Sequence, residues 1–334
     1  MSTQDHVSAR ELDTSGLKVF PLALGCMGMS GMYGVADDNE SIATIHAALD
    51  AGVTLLDTGD FYGAGHNEML IGRALKDRRN QQALLSVKFG ALRSPDGSWV
   101  GVDTRPAAVK NFAAYSLKRL GVEHIDIYRP ARLDPHVPIE ETIGAIADLI
   151  RAGYVRYIGL SEVGPDTIRR AHAVHPITDL QIEYSMISRA PENAIFPVLE
   201  ELGIGVTAYG VLSRGLLTGS KPAGQGDFRA HLPRFSSENL KQNAKVIEAL
   251  NELATERGIK PAQLAIAWVL AKGQRVVPVI GARTRKQLSE SLAALQVKLS
   301  VDDLRRIEET IPASAIAGTR YDAIQMRMLD SERQ

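Results

Sequence analysis

GVTLLDTGDFYGAGHNEMLIGRALKDRRNQQALLSVKFG, residues 52–90, holds two short apolar runs, GVTLLDT (52–58) and ALLSVKFG (83–90), around a segment of helical period, NEMLIGRALK. Strand, helix, strand is the βαβ unit of a parallel sheet, because parallel neighbours need a long crossover between them. The same alternation continues on both sides. Further apolar runs are VFPLALG (19–25), HIDIY (124–128), VRYIGLS (155–161), DLQIEY (179–184), GIGVTAYG (203–210) and VVPVIG (276–281), which makes eight. Between them lie amphipathic stretches such as NESIATIHAALDAG, IEETIGAIADLIRAG and PENAIFPVLEELG, several ending in Gly as helices do. Eight strand–helix repeats in 334 residues predict an α/β fold, a closed (β/α)8 TIM barrel forming a single domain over residues 1–334. RELDTSGLKVF, ahead of the first strand, reads as a hairpin turning on Thr-Ser-Gly. A long loop over 213–235, extra helices and a C-terminal tail over 313–334 exceed the barrel plan.

Formal net charge is −1 with both signs interspersed, so no electrostatic footprint for nucleic acid or an anionic membrane is present. No apolar run approaches the length of a membrane span, and MSTQDHVSARELD lacks the layout of a signal peptide. The single cysteine, Cys26, excludes an internal disulfide framework and fits a reducing compartment. The expectation is a cytoplasmic protein with a small-molecule partner, not nucleic acid or membrane; oligomeric state is not legible. The histidines show no ligand-like spacing beyond His172 and His175 on one helical stretch, and no metal site is expected.

In such a barrel the loops leaving the strands' C-terminal ends converge over one mouth, so polar residues at those ends share a site. Asp57 ends the second run, Tyr62 follows in DTGDFYG, and Lys88 ends the third. A buried Asp and a buried Lys on adjacent strands are costly alone and tolerable together. A phenol beside an ammonium is expected to have its pKa lowered from about 10, which would fit Tyr62 as a general acid toward a carbonyl oxygen. A structural ion pair beside a surface tyrosine is the plain alternative.

The segments LLDTGDFYGAGHNEMLIGRAL, SVKFG, AGYVRYIGLSE, AYGVLSRGLLTG and VIGARTRKQLSESLAAL together resemble the aldo-keto reductase family over essentially the whole chain and in the family's order. The resemblance implies reversible reduction of an aldehyde or ketone, NADPH as hydride donor with NADH a weaker possibility, and no metal. It assigns Tyr62 as general acid with Lys88 and Asp57 tuning it. Ser161 and Gln181 would then bind the nicotinamide carboxamide, and Tyr209 would stack on the ring. Ser213, Arg214, Gly215 and Leu216 would surround the pyrophosphate. Gly281 precedes a helix start where Arg283 and Gln287 would meet the 2′-phosphate and ribose, with Glu290 and Ser291 near the adenine. Met27, Met29 and Tyr33 of the first loop and Trp99 of the third are candidate pocket walls, and Arg320 and Tyr321 in the tail could fold across the mouth.

One position departs from the family's pattern: its usual active-site His falls on Ala131 in RPARLDP (129–135). Arg129, Arg132 and His136 flank it; strand alternation puts Arg129 on the face of Ala131 and turns Arg132 away. An ordered water in the space left by the small side chain is favoured over any of the three as replacement. Two other readings compete. The glycines at 25, 28 and 31 have the wrong spacing for a Rossmann fingerprint. A non-catalytic NADPH-binding regulatory barrel is kept open by Ala131 and opposed by the retained Asp57, Tyr62 and Lys88.

Overall fold

The structure, a computed structural model, describes residues 8–333 except 77, 79–82, 223 and 225. Most of the stretch read for a signal peptide, residues 1–7, lies outside the described residues. Eight parallel strands close a barrel: β1 (Ala23–Gly25), β2 (Leu55–Gly59), β3 (Leu84–Phe89), β4 (Ile125–Pro130), β5 (Val155–Ser161), β6 (Ile177–Glu183), β7 (Gly205–Tyr209) and β8 (Val276–Gly281). Each pairs with its neighbour in chain order, and β8 returns to β1. All eight runs read from the sequence supply one strand. The first run is shared out, because Lys18–Val19 pairs with Arg10–Glu11 in the hairpin and only Ala23–Gly25 enters the barrel.

Helices α1 (Asp38–Asp50), α2 (His66–Lys76), α3 (Pro106–Leu120), α4 (Ile139–Arg151), α5 (Pro165–Val174) and α6 (Pro191–Leu202) follow β1 to β6 in turn. Their sequences dictate the packing. In α4 the buried Ile139, Ile143, Ile146 and Leu149 recur at helical spacing, while Glu140 and Glu141 occupy the first turn, where the helix dipole favours acid. Helices α3 and α6 begin on proline and end on Gly121 and Gly203, both in the left-handed conformation that glycine adopts without strain. Two helices, α7 (Ser237–Glu256) and α8 (Pro261–Ala271), separate β7 from β8, and α9 (Arg285–Leu292) and α10 (Val301–Thr310) follow β8. The tail carries one short helix, α11 (Ala323–Arg327).

The barrel interior is layered. The hairpin plugs one end: Leu12, Leu17 and Val19 pack with Ala23, Leu55, Ile127 and Val277 as a separate apolar cluster. Gly205 makes room for this plug, since a Cβ there would lie 1.9 Å from the Leu12 carbonyl oxygen. Next comes a charged layer. Arg129, fully buried, donates from Nη1 to Asp179 Oδ2 at 2.9 Å and Thr207 Oγ1 at 3.2 Å, and from Nη2 to Ser86 Oγ at 3.0 Å. Gly159 admits this pair, because a Cβ would stand 2.7 Å from Asp179 Oδ1 and 2.9 Å from Arg129 Cζ. Arg129 is therefore occupied below the mouth and does not replace the missing histidine.

A buried pair of this kind stabilises less by its attraction than it costs to break, because removing one partner strands the other charge. Arg129→Gln is expected to lower unfolding free energy by about 2–3 kcal/mol, the amide and the Thr207 hydroxyl still serving Asp179 in part. Denaturant titration reads this as a lower midpoint at unchanged slope. A loss of less than about 0.5 kcal/mol, the level of an ordinary surface substitution, would mean that Asp179 does not depend on the guanidinium.

Candidate active site

Above the charged layer, where β2 and β3 end, three side chains meet. Lys88 Nζ donates to Asp57 Oδ1 at 2.6 Å, and both residues are about 95 % buried. The second Asp57 oxygen, Oδ2, accepts from Ser86 Oγ at 2.9 Å and Gln181 Nε2 at 2.7 Å. Ser86 thus links Asp57 to Arg129, and the ion pair is held by side chains of three strands, Ser86 on β3, Arg129 on β4 and Gln181 on β6. Tyr62 enters from a turn just after β2, where Gly63 and Gly65 take positive φ of 57° and 94° to bring the chain round into α2. Its ring lies 5.1 Å from Lys88 Nζ and packs edge-on against Phe61 at 4.8 Å between centroids. The hydroxyl has no hydrogen-bond partner among the described residues, and Tyr62 lines a cavity of about 720 Å³. That size suits a dinucleotide portion plus a small substrate.

The electrostatics differ from the sequence expectation. Burial, aided by the Asp57 carboxylate, raises the Tyr62 phenol well above its ordinary value, and the cation that pulls it back is Arg132. Burial also lowers the Lys88 ammonium, although Asp57 works the other way. The expected lowering of Tyr62 by Lys88 is therefore corrected: desolvation wins, and the phenol stays protonated.

Strand β4 runs to Pro130, two residues beyond the HIDIY run, and Ala131 N still donates to Phe89 O at 2.8 Å. Past that point strand alternation no longer applies. Arg132, expected to point away, lines the cavity beside Ala131, whereas His136 is exposed and lies off it.

Most of the other predicted residues also line this cavity. Ser161, Gln181 and Tyr209 sit at the ends of β5, β6 and β7. Arg214 and Gly215 lie on a turn in which Ser213, Arg214 and Gly215 have φ of 46°, 56° and 90°, a rare run that turns backbone toward the opening. Gly281, Arg283, Gln287, Glu290 and Ser291 border the far end, with Thr284 capping α9 by accepting from Gln287 N. Met27, Tyr33, Trp99 and Ala131 line the near end. Three predicted residues are placed elsewhere. Met29 is buried in the core beneath the first loop, Leu216 packs into the core, and Ser213 is buried with its hydroxyl accepting from Arg234 Nη1 at 3.3 Å. Each is a loop residue whose side chain turns inward to fill apolar or polar space.

The tail does cross the mouth. Arg320 holds Glu162 with Nη1 to Oε1 at 2.7 Å and Nη2 to Oε2 at 2.6 Å, and Tyr209 also donates to Glu162 Oε1, at 2.7 Å. Burial would raise the Glu162 carboxyl, but Arg320 with its hydrogen bonds, and Arg132, outweigh it and bring the value down to about 2. Tyr321 lies 3.0 Å from the Tyr209 hydroxyl, and the Arg214 guanidinium covers its ring at 4.5 Å. Neither Arg234 nor Glu183, which bind each other at 3.2 Å in this cluster, carried any signal in the sequence.

Among the described residues there is no group of three or more side chains able to hold a metal ion, and no helix is long and apolar enough to cross a membrane. Comparison with known proteins agrees with the geometry. The family model described as "Aldo/keto reductase family" matches residues 21–312. A relative named "Probable aldo-keto reductase 1", from Glycine max, is 44% identical over 326 residues, covering 96% of this chain and 93% of its own. Among solved structures, a glycerol dehydrogenase from Gluconobacter oxydans superposes with a TM-score of 0.82 at 27% identity, covering 98% of both chains. The holo form of an aldo-keto reductase from Bacillus halodurans gives 0.76 at 30% identity, over 92% of this chain and 97% of that one. The chain belongs to the aldo/keto reductase family, oxidoreductases that act on carbonyl and alcohol groups with a nicotinamide cofactor.

Proposed function

We propose that the protein is an NADPH-dependent reductase of aldehydes or ketones, with Tyr62 as proton donor, Lys88 and Asp57 as its electrostatic support, and a cytoplasmic place of work. The observation that carries this is the unpartnered Tyr62 hydroxyl facing the cavity 5.1 Å, ring centroid to Nζ, from an ammonium held by Asp57. Bound nicotinamide supplies a hydride to the carbonyl carbon. Tyr62 gives its proton to the carbonyl oxygen, the alcohol leaves, and the phenol regains a proton from water. Burial raises the Tyr62 pKa and keeps the proton on the phenol until negative charge develops on the carbonyl oxygen that accepts it. Lys88 opposes the negative charge left on the phenol, and Asp57 keeps that ammonium in place.

The chain's own cations support the cofactor assignment. Arg283 and Lys286 line the cavity at the start of α9 and have no carboxylate partner among the described residues, while Arg283 Nη1 is steadied by the Tyr33 carbonyl at 3.0 Å. A capped helix start with unpaired cations is a phosphate site, and Arg283 is assigned to the 2′-phosphate. The turn carrying Arg214 and Gly215 lines the cavity and would hold the pyrophosphate, with Gly215 allowing close backbone approach.

The test is initial-rate kinetics with a carbonyl panel and both cofactors. Arg283→Ala is expected to raise KM for NADPH about 10- to 100-fold and leave KM for NADH within about 3-fold. Equal changes for both cofactors would remove Arg283 from the 2′-phosphate.

A further inference from the structure

Arg132 stands next to Ala131 and shares the cavity wall with Tyr62. Its Nη1 donates to the Ala131 carbonyl at 2.6 Å, and its Nη2 reaches the Tyr321 hydroxyl only at 3.4 Å. A guanidinium has five donors, so most of its capacity is unused. Among the described residues no carboxylate pairs with it, and the nearby acids are already engaged. Both Glu162 oxygens are taken by Arg320, while Arg214 and Arg234 share Glu183 at 3.1 Å and 3.2 Å. In this cluster four guanidiniums, Arg132, Arg214, Arg234 and Arg320, face three carboxylates, Glu162, Glu183 and Glu332. The surplus cation is the one that faces the substrate end.

The surroundings narrow what would complete it. Phe61, Met27 and Trp99 give the same end of the cavity apolar and aromatic walls. Arg93, stacked over Trp99 at 5.5 Å and Phe61 at 5.9 Å, adds a second positive charge at the rim. Ala131, small and buried, lines the same cavity beside Arg132. Arg132 also lowers the Tyr62 pKa through space, so the two groups share one field. A partly buried guanidinium with free donors on an apolar wall is costly until an anion arrives, and its planar fork matches a carboxylate.

We propose that Arg132 is the anion subsite of the carbonyl pocket, and that the substrate class is a carbonyl compound bearing a carboxylate, bound with its carbonyl at Tyr62 and its carboxylate on Arg132. The assignment rests on the reductase reading of the same cavity. Ala131 then has a role: a larger side chain on this cavity wall would take up space beside Arg132.

The test compares 4-carboxybenzaldehyde with methyl 4-formylbenzoate, which differ in charge at one end, using NADPH and the full chain. Wild type is expected to prefer the acid about 10- to 100-fold in kcat/KM, mainly through KM. In Arg132→Gln, which keeps a polar head able to reach Ala131 O, the preference is expected to fall to about 1- to 3-fold. Arg132→Lys is expected to lie between, retaining charge without the fork. No preference in wild type, or a preference that survives in Arg132→Gln, overturns the subsite. So does a variant whose NADPH affinity falls while the acid-to-ester ratio stays, since that places Arg132 on the cofactor. If wild type reduces neither aldehyde, the reductase reading fails by itself. Calorimetric titration of 4-(hydroxymethyl)benzoate into the NADP⁺-loaded protein then decides the subsite: binding lost in Arg132→Gln supports it, and binding that is absent or unchanged overturns it.

Discussion

Tyr62→Phe is expected to lower kcat for carbonyl reduction about 100- to 10,000-fold while NADPH binding, followed by fluorescence, stays within about 2-fold. The substitution removes one oxygen from a side chain that is 93 % buried, and that oxygen has no partner among the described residues to be left unsatisfied. Folding should therefore be spared, and the lost rate reports the lost proton. Activity above about a tenth of wild type would move the proton donor elsewhere, because a positioned acid contributes more than that.

Lys88→Met is expected to reduce kcat about 100- to 1,000-fold and to destabilise the protein as well. Asp57 would be left buried with Ser86 and Gln181 as its remaining donors, a loss of about 3 kcal/mol or more. The pH profile separates the two effects. Burial holds the Lys88 ammonium below its usual ~10.4, so its charge disappears as pH rises through that lowered value, and wild-type reduction should fall on an alkaline limb there. Tyr62, raised well above its ordinary value, remains protonated over the same range and does not make that limb. In Lys88→Met the limb should vanish along with most of the rate. An unchanged limb in the variant would assign it to another group and detach Lys88 from the chemistry.

How far these assignments were legible in the sequence depends on what each residue's surroundings consist of. The eight strands are readable because burial on both faces makes parallel strands into apolar runs, and helical period between them is independent of tertiary detail. Asp57 and Lys88 are readable for the same reason: a charge at the end of a buried run needs a partner, and the register β2 to β3 supplies it. Arg132 is not, because strand alternation is a local rule that stops where the strand stops, and β4 ends at Pro130. The clamp of Arg320 on Glu162 joins residues 158 apart, for which no local pattern exists. The sign of the Tyr62 shift is not legible, because a sequence shows neighbouring charges but not how completely water is excluded. Desolvation is the larger effect here. Met29, Leu216 and Ser213 show the same gap on loops, where side-chain direction has no period.

The central claim is that this cavity passes a hydride from nicotinamide to a carbonyl carbon under proton donation by Tyr62. NADPH deuterated at nicotinamide C4, incubated with the protein and 4-carboxybenzaldehyde, tests it directly by mass spectrometry and NMR of the product. The account predicts one deuterium on the carbinol carbon, formed by wild type and reduced at least about 100-fold in rate in Tyr62→Phe. Binding of NADPH with no labelled alcohol from this or any other carbonyl offered, or equal labelling by the two proteins, would contradict it.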